Sequence, residues 1–190
     1  MGNLVSLEGR VDPKGYPVPT SDIVALMVFD HQMHMINLLT RIGWEVRVAT
    51  HERRLDLTRG PQRDDVNELV DYLFFVDEAR LSGRIRGASR FAEQFSSQGP
   101  RDKKGRSLRQ LDLEKRLLRY PCSYMIYAKA FDSLPDAARS AIYQRMWHIL
   151  SGKETAAKYR RLSAADRRAI VEILRDTKPG LPGYFRLNPR

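Results

Sequence analysis

The spacing of its apolar residues most constrains what this chain can fold into. They recur three and four positions apart over long stretches, the period of one helix face, and no alternating run is long enough to make a strand. No internal repeat is present, and 190 residues fit one domain at the usual ~100–200 residues each. The expectation is all-α: a single-domain bundle of about five to six helices over residues 20–190. An extended Pro/Gly-rich segment over residues 1–19 precedes it, and a surface excursion over residues 82–105 interrupts it.

Local signals mark the elements. Thr20, Ser21 and Asp22 offer N-caps for a long helix from Ile23 to about residue 54. Gly60-Pro61 lies in a connection to a second helix over residues 66–81, where Asp64 and Asp65 suit the positive end of the macrodipole. Glycines, Pro100 and charges fill the excursion, with a short helix around residues 90–95. The spacing predicts an amphipathic helix over 108–120, which Pro121 kinks or splits from an apolar turn over 122–131. Pro135 opens a helix over 136–150 that Gly152 closes, and Ser163 to Asp166 form a capping box for a last helix to about residue 176.

Composition removes several classes of function. A single cysteine, Cys122, excludes an internal disulfide framework and any multi-cysteine zinc or iron–sulfur site. With no Cys-x-x-Cys-His, covalent c-type haem is excluded too. No run of ~18 apolar residues exists, so no membrane-spanning helix is expected. Phosphate-cradling glycine loops and nucleophile elbows are missing. The formal charge of +10 favours acidic partners, but the arginines are dispersed and no zinc-finger, ribonucleoprotein or helix-turn-helix pattern appears. Nucleic acid is therefore not the expected partner. Met1-Gly2 with Ser6 fits only the permissive N-myristoylation pattern.

Two polar anomalies point to a site. On the long helix Val28, Met35, Leu38, Leu39, Ile42 and Val46 share an apolar face, while Asp30, His34, Asn37, Arg41 and Glu45 share a polar strip. His31 and Gln32 leave that strip for the apolar half, where an unpaired polar group is costly. On the second helix Asp77 falls at the centre of the apolar face, with Glu78 at its margin, so Asp77 needs a partner. His31 is the first candidate and Arg41 the second. His31, His34, Glu45 and His51 with Asp77 and Glu78 have the residue types of a helical-bundle metal site, although no Glu-x-x-His signature accompanies them. His31, His34 and Gln32 are the candidates for holding a cofactor, either a transition metal or a non-covalent haem. A buried His–Asp pair also serves acid–base catalysis, and it equally serves as a core ion pair.

Three stretches carry a resemblance. They are residues 20–32, with Phe29-Asp30-His31-Gln32; residues 119–124, Arg119-Tyr120-Pro121-Cys122-Ser123-Tyr124; and residues 174–182, ending Lys178-Pro179-Gly180-Leu181-Pro182. In these the chain resembles the C-terminal part of an uncharacterised family of longer bacterial proteins found alongside c-type cytochromes. The resemblance implies an exported, periplasmic protein whose N-terminal region is missing here. It also implies a c-type cytochrome or other acidic protein as partner, and a link to respiratory electron transfer. The leading expectation is thus a non-enzymatic binding or accessory domain. The alternatives are a hydrolase-like acid–base enzyme using His31 and Asp77, and a nucleic-acid-binding module.

Overall fold

The computed structural model describes residues 9, 10, 12–15 and 20–187; the lipidation pattern at Gly2 and most of the extended lead-in lie outside them. Among the described residues there are six α-helices and no β-strand, with one isolated antiparallel bridge between Leu111 and Leu118. The all-α expectation holds.

Helix α1 runs Ile23–His51, about 44 Å at 1.5 Å per residue. Asp22 starts it by accepting hydrogen bonds from the backbone N–H groups of Val24 and Ala25. The other oxygen of the same carboxylate accepts from the N–H and hydroxyl of Ser89, tying the excursion to the start of α1. Helix α2, Pro61–Leu73, follows with Pro at its first position. Helix α3 is Phe91–Ser97, α4 is the single turn Lys129–Asp132, α5 is Asp136–Leu150 and α6 is Ala164–Thr177. Ser163 caps α6 through the Asp166 N–H.

Helices α1, α2 and α5 form the centre of the bundle. Leu39, Ile42 and Val46 of α1 meet Val66, Leu69 and Leu73 of α2 and Ile142 and Met146 of α5 in one continuous core. Phe131, Ile170, Leu174 and Phe185 extend it on the α6 side. Truncating a fully buried leucine such as Leu69 to Ala costs about 2–5 kcal/mol at such a position.

Two segments differ from expectation. Helix α2 stops at Leu73 instead of reaching residue 81, and Phe75 and Asp77 take left-handed backbone conformations, with φ of 56° and 65°. The Leu73 carbonyl, left over at the helix end, accepts the backbone N–H of Ser123 at 2.8 Å. The segment 108–120 is not helical either. The Asp112 carboxylate accepts the N–H groups of Glu114 and Lys115, and Leu113 turns through φ 60°. Leu111 and Leu118 are thereby brought into register across a tight turn. A side chain that bonds its own backbone competes with helix, and here it wins.

The excursion is anchored rather than loose. The Asp102 carboxylate holds the Arg106 guanidinium, which also binds Glu172 of α6, and Phe95 of α3 is packed into the core.

Candidate functional site

His31 faces inward from α1 and is 4% exposed. Its ring is stacked between those of Tyr72, at a centroid distance of 5.1 Å, and Phe75, at 4.6 Å. The positive φ that follows the end of α2 is what turns Phe75 onto this ring. Its Nε2 lies 2.7 Å from the Ser123 hydroxyl. That hydroxyl oxygen already accepts the Met125 N–H, capping the 3-10 turn Tyr124–Tyr127. Donation of the serine proton to Nε2 therefore satisfies all three groups and leaves the imidazole proton on Nδ1. Burial lowers the His31 pKa to about 4, against an opposing pull from Asp30, so the ring is neutral at pH 7.

Ser123 is thus a clamp. Its hydroxyl holds α1 through His31 while its N–H holds the end of α2 through Leu73.

The expected His31–Asp77 pair does not form. Because α2 ends at Leu73, Asp77 leaves the helical face and is exposed. Arg41, the second candidate, pairs instead with Asp65 and Glu68. Glu78 is half-buried and accepts the Leu117 N–H at 2.8 Å; burial raises its pKa against that bond and the nearby arginines. His34 is exposed and lies over the Tyr72 ring at 4.2 Å. Glu45 and His51 lie 14 and 20 residues beyond His31 on the same helix, about 21 and 30 Å along it at the helical rise. Among the described residues no three His, Cys, Asp or Glu side chains converge as a metal site, so the six proposed ligands do not assemble. His31 commits its Nε2 to Ser123, which leaves only Nδ1 for any haem or metal.

His31 and Ser123 also have the residue types of a base and a hydroxyl nucleophile. Ser123 is fully buried, no carboxylate among the described residues hydrogen-bonds the ring, and a pKa near 4 makes a poor base at neutral pH. The pair holds the fold together.

Beside the clamp two cavities share Phe75, Glu78 and Leu81. The first, about 320 Å³, is walled by Met27, His31 and Tyr72, with Asp30 and Asp77 at its rim. The second, about 600 Å³, has Phe74, Phe75, Pro121 and Leu162 as its apolar floor and Arg80, Lys115, Arg116 and Arg161 around it. Its two carboxylates are turned to the backbone. Glu78 holds Leu117, and Asp112 holds the N–H groups of Glu114 and Lys115, which keep its pKa low against the effect of burial. Arg116 pairs with Asp166 and Arg161 donates to the Glu78 carbonyl, while Arg80 and Lys115 have no ion-pair partner among the described residues. The cleft is cationic.

Sequence reasoning located His31 but missed Ser123, Tyr72 and the cleft. The one available signal was a serine preceding the aromatic run Tyr124–Tyr127, in position to cap it. No protein-family model matches the chain, nor does any curated protein or solved structure. No helix among the described residues is long and apolar enough to cross a membrane.

Proposed function

We propose that the chain is a non-enzymatic helical binding module that docks an acidic protein in the cationic cleft beside the His31 clamp. The observation that carries this reading is the pairing of an apolar floor with four basic side chains against two carboxylates, two of the four, Arg80 and Lys115, having no ion-pair partner among the described residues. Arg80 and Lys115 are exposed, and the neighbouring carboxylates are occupied by backbone N–H groups. Such a surface steers an acidic partner by charge and holds it by apolar contact with Phe74 and Phe75. The resemblance to proteins found alongside c-type cytochromes supplies the class of partner: an acidic c-type cytochrome, met in the periplasm.

The test is biolayer interferometry against an acidic c-type cytochrome and against duplex DNA, each at about 50 and about 200 mM salt. The expected result is saturable binding of the cytochrome that weakens about tenfold with salt and is lost in Arg80→Glu/Lys115→Glu. Binding that ignores both the salt and the substitutions overturns the proposal. Tighter, cleft-dependent binding of DNA replaces it with the nucleic-acid reading.

A further inference from the structure

A separate pocket of about 280 Å³ lies on the other flank of α1, between that helix, α3 and Arg109. It shares no residue with the cationic cleft. Arg109 reaches into it across the Phe95 ring, with its guanidinium carbon 4.2 Å from the centroid, and sits 5.0 Å from the centroid of Tyr124. Gly99, at φ +85°, permits that path: a Cβ there would come within 2.7 Å of the Arg109 side chain.

Arg109 is a cation bonded, among the described residues, only to neutral groups. Its Nε donates to the Phe95 carbonyl at 3.3 Å and its Nη2 to the Gln98 amide oxygen at 3.2 Å, both long bonds to neutral groups. It has no carboxylate partner among the described residues, although this chain pairs most of its partly buried arginines, such as Arg106, Arg116 and Arg145, with acids. Burial lowers its pKa, the effect of a charge held out of water and incompletely compensated. A guanidinium carries five N–H donors in a fork matched to carboxylate, and three have no acceptor here among the described residues.

The rest of the pocket says what accompanies that carboxylate. Phe29 and Phe91 form apolar walls, and Gln32 and Gln94 add neutral amides. No acid lines it. The volume is at the low end for ligand sites, room for a single ring. We infer that this pocket binds a small aromatic carboxylate, with its carboxylate on the Arg109 guanidinium and its ring between Phe29 and Phe91.

Saturation-transfer NMR with phenylacetate tests this, using phenethylamine as the probe of like shape and opposite charge. Phenylacetate is expected to bind saturably and phenethylamine not. In Gln98→Glu a carboxylate within the chain takes the place of the amide already bonded to Arg109, so phenylacetate affinity is expected to drop about tenfold or more without loss of fold. Arg109→Gln is expected to do the same, with circular dichroism confirming its helix content. Equal binding of both probes, absence of saturable phenylacetate binding, or an affinity unchanged in the folded Gln98→Glu variant would overturn the assignment.

Discussion

Acidifying the protein should weaken it through His31. In the unfolded chain this imidazole takes a proton at its ordinary pKa of 6.5; in the native state it does so only at about 4. Between those values the unfolded state binds a proton that the native state refuses. Stability is therefore complete above pH 6.5 and falls as the pH drops toward 4, by about 1.4 kcal/mol per pH unit. From about pH 7.5 to about pH 4.5 this one ring removes roughly 2.5 kcal/mol, a large share of the ~5–15 kcal/mol typical of a domain. Glu78, whose pKa burial raises, acts in the opposite direction, so the wild-type curve alone does not isolate the histidine. His31→Asn does, because asparagine leaves a polar group facing Ser123 and does not titrate. Urea unfolding of both proteins across the window gives the difference directly. The stability gap between wild type and variant should shift by roughly 2.5 kcal/mol, with wild type losing its advantage at acid pH. A gap constant to within ~0.5 kcal/mol would refute the buried, neutral assignment of His31. So would a titration midpoint near 6.5 for its ring by NMR.

Other outcomes follow from the same structure. Asp22→Ala removes the cap of α1 and the tie to Ser89 together, and should cost about 2 kcal/mol by urea unfolding, with earlier proteolysis near residues 85–90. Lys178 is buried with its ammonium on Asp132 and 5.2 Å from the Phe131 ring centroid. Asp132→Ala should therefore cost about 1–2 kcal/mol, whereas Lys178→Met should be near neutral, since a fitting apolar chain needs no partner. The same thermal or urea titration reads both, and a Lys178→Met penalty exceeding that of Asp132→Ala would contradict the argument.

Helices with local stop and start signals were legible from residues alone. Asp22 before α1, Pro135 before α5, and Ser163 with Asp166 at α6 each act within a few residues of where they stand. The misread boundaries are those settled from a distance. Nothing near Leu73 announces the end of α2, because the group that donates to its carbonyl is the Ser123 N–H, fifty residues on. Continuing the helix to residue 81 placed Asp77 on the apolar face and made it look buried. The leucine spacing over 108–120 likewise suits a helix, and only the Asp112 carboxylate, spent on its own turn, decides otherwise.

The polar anomalies of α1 were real, and their meaning lay in direction. His31 and Gln32 are neighbours in sequence, about 100° apart around the helix, and the structure sends them to different flanks. His31 turns to the Ser123 clamp and the cavity under Tyr72; Gln32 turns to the Arg109 pocket. A polar residue on an apolar face states that a bond must exist, since leaving it unmade is costly, but it carries no information on the length of chain between the two ends. For His31 that length is 92 residues, and the partner is a hydroxyl, not the carboxylate that charge reasoning favoured. A neutral partner is also the consistent one. Burial drives the imidazole to its uncharged form, and beside a neutral ring a buried carboxylate would have kept its own charge unpaired, whereas a serine proton completes the bond without leaving any charge behind.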